Sequence, residues 1–314
     1  MRLCVLSRSA RIGSTRRLVE AGRARGHRVR VIDPLKVRLH LDGSGGHLLH
    51  GTRRLHGYDA VIPRIAQSVS PHGLAVVNQL ALQGVPVLNG ADAISQARNK
   101  MRSLQLLSAH GLLTPATVMA REPSELREMV KLVGGPPVLV KLLQGPGQDR
   151  RGVMVLESLQ SLGPALDAIL GLGHSVLVQS YVKQTQQDLR VLVVGGVARA
   201  AVHRRARPGR VYRTLNLGAH YQAAILTPEV SAAAEAAARI LGLEVAAVDL
   251  LSIAGKPRIL EVNSSPNLWA LERATGTDLA GVLIARAEEL VLQRSETAAP
   301  PRPRRNARAK QGSG

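Results

Sequence analysis

The 314-residue chain is long enough for about two domains of ~100–200 residues, and a hydrophobic content of 45% supplies packed cores and excludes a disordered chain. Against 22 Asp and Glu stand 42 Lys and Arg, a net charge of +20 that draws anions such as nucleotides, nucleic acid or acidic peptides. With 2% aromatic residues and no Phe, a single-strand nucleic-acid platform of stacked rings is excluded, and the apolar runs are too short to cross a membrane.

The first run, residues 2–7, reads as a strand. It holds the only cysteine, Cys4, which is expected in the core and cannot form an intramolecular disulfide. No basic-then-apolar leader opens the chain, so a cytoplasmic location is expected. Leu18, Val19 and Ala21 then predict a helix over residues 17–25, and 27–33 alternates as a strand does. A second unit follows, with strands at 59–63 and 85–88 around a helix at 70–82. Residues 1–95 therefore read as a small open α/β domain. No G-x-G-x-x-G follows its first strand, which argues against a dinucleotide site there. His40, His47, His50 and His56 crowd this domain without a metal-ligand spacing and are expected at its surface.

From about Ser95 to Gly111 a helical stripe of Ala97, Met101, Leu104 and Leu107 leads into the second domain. Strand-like runs follow at 138–143, 153–156 and 176–181. Two more, 191–194 and 197–202, flank Gly195-Gly196 and predict a hairpin. A helix from Pro228 to Leu241 precedes runs at 245–253 and 257–262. This mixed order argues α+β for residues 96–291 and against a simple doubly wound sheet. Residues 292–314 lose periodicity, carry Arg302, Arg304, Arg305, Arg308 and Lys310, and are expected to be disordered.

The most informative constellation is Asp249, Glu261 and Asn263, on the last two runs. If these pair as a hairpin with Ile253 opposite Pro257, Asp249 falls opposite Glu261, and Asn263 shares its face through the period of two. Two carboxylates and an amide oxygen suit Mg²⁺ or Mn²⁺. The plain alternative is three solvated polar positions, but Asp249 and Glu261 each interrupt an apolar run, where unpaired carboxylates are costly. Lys141 ends a buried-looking run before the Gly-rich segment 144–152, an arrangement for phosphate or an ordinary hairpin loop. Lys100 alone reads as a surface lysine. Arg190, with Arg204, Arg205, Arg207, Arg210 and Arg213, forms a basic region for carboxylate or phosphate, or a solvated edge strand.

Taken together, Asp59-Ala-Val-Ile-Pro-Arg64, Lys100-Met-Arg-Ser-Leu-Gln-Leu-Leu107, Val140-Lys-Leu142, Val248-Asp249 and Glu261-Val-Asn-Ser-Ser-Pro266 resemble the RimK-type glutamate ligases of the ATP-grasp superfamily. The resemblance runs from residue 1 to about 290. It implies an ATP-grasp fold behind an α/β pre-ATP-grasp domain, and a ligase that adds glutamate to the carboxyl end of a ribosomal or other acidic protein. It further implies Lys100 and Lys141 on the ATP phosphates, Gln179, Ser180, Tyr181 and Val182 around adenine, and Asp188 on the ribose. Arg190 and Arg213 would bind anions near the phosphates or acceptor, and Asp249, Glu261 and Asn263 would hold Mg²⁺ or Mn²⁺, two ions in number. The basic tail would contact RNA or the ribosome; a homo-oligomer is left open, and no membrane is involved. Three departures from the family pattern stand out: Ser180 in place of an acidic residue, Asp149-Arg-Arg151 lengthening the Gly-rich loop, and Arg213-Thr-Leu215-Asn216 displacing an Asn. These keep open an altered amino acid or acceptor, or a chain that binds nucleotide or RNA without catalysis.

Overall fold

The computed structural model describes residues 1–43, 45–66, 70–121, 126–143, 153–181, 187–205, 220–253 and 255–298. Its first part carries β1 (Arg2–Leu6), α1 (Gly13–Ala24), β2 (Arg28–Ile32), β3 (Val37–Asp42), β4 (Gly45–His50), β5 (Arg53–Arg54), β6 (Ala60–Pro63) and α2 (Ser70–Leu82). A parallel sheet of order β2-β1-β6 forms its centre. Leu3 and Val5 face one core and Cys4 and Leu6 another, which is why β1 is apolar throughout. Burial pushes the Cys4 thiol up to about 12, as befits a core residue and not a nucleophile.

Two expectations need correction here. The strand expected at 85–88 is a single parallel bridge, Val61 with Val87. Pro86 has no N–H to donate, so it only accepts, from Val61, and the ladder stops there. Conversely, β3, β4 and β5 form an antiparallel sheet where no strand was expected. His40 and His47 stack across it, with ring centroids 6.4 Å apart.

The expected helix from Ser95 is two helices, α3 (Ala91–Arg98) and α4 (Lys100–Ala109). Asn99 leaves helical geometry and caps α4, its side chain accepting from the Arg102 N–H at 3.0 Å. Gly111, at φ 79°, stands just past the end of α4 as expected. A four-stranded sheet follows, of order β7-β10-β8-β9, from β7 (Thr117–Ala120), β8 (Val138–Leu142), β9 (Val153–Leu156) and β10 (Val176–Ser180). Val138, Val140, Val176 and Val178 pack with residues of α5 (Leu126–Leu132) and α6 (Leu159–Gly171). By the period of two, Leu139, Lys141, Leu177 and Gln179 take the opposite face, and all four are buried.

The last sheet is antiparallel, of order β13-β12-β11-β14-β15, from β11 (Gln187–Val194), β12 (Val197–Arg205), β13 (His220–Ala224), β14 (Val245–Ile253) and β15 (Lys256–Asn263). One face, with Val191, Val193, Val248, Leu250, Ile259 and Val262, packs on α7 (Pro228–Ile240). On the other, Leu192, Val194 and Val202 join α1, α8 (Leu268–Thr275) and α9 (Leu279–Ala298). The disorder expected from residue 292 does not hold for 292–298, because α9 runs to Ala298. Loss of apolar anchors does not end a helix, and the first helix-stopping residue is Pro300. Residues 299–314, with the basic tail, lie outside the described residues. Among those described, no helix is long and apolar enough to cross a membrane.

Candidate active site

The face of the last sheet that packs on α8 and α9 changes character along its length. Beyond Leu192 and Val202 the next residues on it are charged. Arg190 pairs across the ladder with Asp249, and Asp188 with Arg204. All four side chains are buried. Arg190 grips Asp249 in a fork, Nε to Oδ1 at 2.6 Å and Nη2 to Oδ2 at 2.8 Å. Arg204 does the same to Asp188, with Nε to Oδ1 at 2.7 Å, and its Nη2 also reaches Asp249 Oδ2 at 2.8 Å. Burial raises both carboxyl groups. At Asp249 the two guanidiniums outweigh it and hold the group below the usual range. At Asp188 burial wins over Arg204, helped by the charge of Asp249, and the group sits above it.

Glu261 stands opposite Asp249, as expected from the sequence. The turn that brings it there differs by one residue from expectation. Ile253 faces Lys256 and Ser252 faces Pro257, and the register shifts between Asp249 and Leu250, where Leu260 is left without a partner. Without that bulge Glu261 would face Val248 and turn into the core under α7. Glu261 is exposed and has no ion-pair partner among the described residues, and the Asn263 amide lies 3.4 Å from Asp249 Oδ2. The described residues hold no cluster of three or more His, Cys, Asp or Glu that could bind a metal. Two carboxylates and an amide oxygen are nonetheless a hard-oxygen set that fits Mg²⁺ or Mn²⁺, and Glu261 is free to serve it.

Lys141 and Gln179 share the buried face of the four-stranded sheet opposite the one that packs with α5 and α6. The Gln179 Nε2 donates to Thr117 Oγ1 at 2.8 Å, and the Ser180 N–H to the Ala116 carbonyl at 2.9 Å. Tyr181 follows, partly buried. Lys100 opens α4, and α4 packs on β15, so this helix is not detached from the last sheet. Val182, Arg213, Leu215, Asn216 and the Gly-rich segment 144–152 lie outside the described residues.

Three residues here carry more than the sequence suggested. Arg204, grouped with a solvated basic strand, is buried between two carboxylates. Asn89 is buried and ties the entry of β14 to the exit of β15: Nδ2 donates to the carbonyls of Val245 and Ser264 at 2.8 and 2.9 Å, and Oδ1 accepts from Val245 N–H at 2.8 Å. Arg64, at the end of β6, donates from Nη2 to the Pro266 carbonyl at 2.5 Å. A lone polar residue beside apolar runs was the only sequence signal for Asn89, and the Arg64 contact spans 202 residues.

The RimK PreATP-grasp domain family matches residues 1–94, and the RimK-like ATP-grasp domain family residues 97–287. A protein of Pseudomonas paraeruginosa named "Probable alpha-L-glutamate ligase" is 41% identical over 290 residues, covering 92% of this chain and 96% of its own. Among solved structures, the ATP-grasp ligase PsnB with a minimal precursor superimposes with a TM-score of 0.74 at 21% identity, over 92% of this chain and 98% of its own. A RimK domain ATP-grasp protein of Sphaerobacter thermophilus does so at 0.68 and 21%, over 92% of this chain and all of its own, 100%. The chain belongs to the RimK family of ATP-grasp proteins and is an ATP-dependent ligase.

Proposed function

We propose that the chain joins L-glutamate to the C-terminal carboxylate of an acidic protein or peptide, a ribosomal protein being the first candidate, through an acyl-phosphate. The observation that carries this reading is the in-register set of Asp249, Glu261 and Asn263 beside two guanidiniums, in a chain 41% identical to proteins named for glutamate ligation. The acceptor carboxylate attacks the γ-phosphorus of ATP and ADP departs; the glutamate amine then attacks the acyl carbon, and phosphate leaves as the amide forms.

Carboxylate and triphosphate repel each other, so the first step needs cations between them. Lys100 and Lys141 supply fixed positive charge toward the phosphates. Asp249, Glu261 and Asn263 would hold Mg²⁺ or Mn²⁺, two ions in number, which when bound neutralises the charge shared between the phosphates. Gln179, Ser180, Tyr181 and Val182 border the adenine, Asp188 the ribose, and Arg190 and Arg213 the acceptor or phosphate anions. The PsnB ligase has been captured with its precursor, Mg and ADP, which supports a peptide and a divalent cation for this fold. Residues 1–95 act as the pre-ATP-grasp domain and 96–291 as the two closing lobes.

The test is ADP release by purified protein with Mg²⁺ or Mn²⁺, glutamate and a panel of acidic-tailed peptides. Turnover should depend on the acceptor. Asp249→Ala should lower it about 100-fold or more, the scale of several kcal/mol of lost charge stabilisation. Glu261→Gln should do the same at an exposed position, which separates loss of the cation from loss of fold. Turnover indifferent to both substitutions would remove the cation assignment, and tight RNA binding without turnover would favour a non-catalytic protein.

A further inference from the structure

Arg64 differs from the other arginines where the first domain meets the last helices. Arg17 pairs with Glu20, Glu272 and Asp278, Arg25 with Glu288, and Arg286 with Glu244 and Glu289. Arg64 has no carboxylate within ion-pair distance among the described residues; its recorded side-chain partner is the neutral carbonyl of Pro266. A guanidinium offers a fork of donors in fixed geometry, and the Pro266 carbonyl takes one of them. Burial alone pushes its pKa down to about 10, with no neighbouring charge to offset it. Holding an uncompensated cation in such a place is costly, and chains tolerate it where a ligand supplies the missing anion.

Its position is as telling as its lack of a partner. The backbone N–H of Arg64 donates to the Leu6 carbonyl at 2.8 Å, so the residue stands at the carboxyl ends of β1 and β6, where open parallel sheets take their ligands. From there the side chain crosses to the loop that leaves β15 just after Asn263. That loop is also held to the start of α1: Ser14 Oγ donates to Asn267 Oδ1 and accepts from the Leu268 N–H, both at 3.1 Å. Ser265, beside Pro266, keeps a buried hydroxyl with no hydrogen-bond partner among the described residues. Arg64 itself is only partly buried and retains a surface for a ligand to meet.

We propose that Arg64 binds a non-reacting carboxylate of a substrate, on the incoming amino acid or on the acceptor tail, and so helps decide which anion enters the ligation. This rests on the ligase reading above. An acidic tail and a dicarboxylic amino acid both present a carboxylate that the reaction does not consume, and a planar guanidinium fork matches either in bidentate fashion.

The experiment compares wild type, Arg64→Lys and Arg64→Met in ADP release, varying glutamate, an acidic-tailed peptide and ATP in turn, with thermal unfolding measured alongside. Arg64→Met should raise KM for one carboxylate substrate by about tenfold or more, with partial recovery in Arg64→Lys and KM for ATP unchanged. The substrate whose KM moves identifies the carboxylate. The unfolding midpoint of Arg64→Met should equal or exceed that of wild type, since an uncompensated charge is removed. Unchanged KM values, or a change in KM for ATP alone, would overturn the proposal, as would a lowered midpoint with KM intact, which marks a tie to Pro266 and nothing more. If wild type shows no acceptor-dependent turnover, the ligase reading falls. Calorimetric titration of wild type and Arg64→Met with glutamate and with the acidic peptide then decides for Arg64: affinity weakened about tenfold in the variant supports it, and equal affinity overturns it.

Discussion

Asp188, Arg190, Arg204 and Asp249 bury two positive and two negative charges together, and their forks satisfy one another. Such a group adds little net stability over apolar side chains, but removing one member leaves an uncancelled charge. Arg204→Met should therefore cost about 3–5 kcal/mol, because Asp188 loses both hydrogen-bond donors that Arg204 gives it and Asp249 loses one. Adding Asp188→Asn should restore part of that loss, so the double variant lies above the sum of the single effects. Urea unfolding of the three variants measures this, and strict additivity would show that the four do not act as a unit. Asp249 stood out because a carboxylate inside Val245-Ala-Ala-Val-Asp-Leu-Leu is costly to bury unpaired. Arg204 did not. In Val202-His-Arg-Arg205 charged residues fall on both faces of the strand, and only its pairing with Asp188 shows which one turns inward.

The β11–β12 hairpin was legible because its turn is chemically marked, whereas the hairpins of β3, β4 and β5 were not foreseen. Gly195 and Gly196, at φ 60° and 76°, join β11 to β12 with Val194 opposite Val197, the two-residue turn that Gly-Gly favours. Each glycine relieves the left-handed penalty of about 1–2 kcal/mol, but only at Gly195 would an added Cβ stand 2.8 Å from the Arg286 Cδ, on a side chain held by Glu244 and Glu289. Gly195→Ala should thus destabilise more than Gly196→Ala, whose Cβ meets nothing within 4 Å. Denaturant midpoints check the order, and equal losses would mean that Arg286 yields freely. The β14–β15 pair shows the limit of such reading. Its facing of Asp249 with Glu261 was reached from a turn set one residue out, an offset that the bulge at Leu260 cancels, and that bulge carries no turn residue to betray it. Helix α6 escaped for the opposite reason. Pro164 lies inside it, and the burial of Leu162, Leu166 and Leu170 on one stripe outweighs that local signal.

At the scale of the whole molecule, long-range ion pairs such as Arg25 with Glu288, 263 residues apart, were invisible in the sequence, but the excess of charge was not. A chain with 42 cations against 22 anions attracts a polyanionic substrate before any specific contact forms, and that attraction belongs to the association rate. Salt shortens its range from ~10 Å at 0.1 M to ~3 Å at 1 M. For an acceptor ending in several glutamates, kcat/KM should fall about tenfold or more between about 0.05 M and about 0.5 M salt, while kcat at saturating acceptor changes far less. An acceptor with a single terminal glutamate should show a shallower slope, because fewer charges feel the field. Removing residues 299–314 takes away Arg302, Arg304, Arg305, Arg308 and Lys310 but leaves 37 of the cations, so the slope should persist in the shortened chain if the folded body does the steering. Steady-state rates over the salt series, with both acceptors and both chain lengths, measure this. A slope that vanishes with the tail assigns the attraction to the tail, and a kcat/KM insensitive to salt for the longest acidic acceptor removes electrostatic steering from the account of substrate choice.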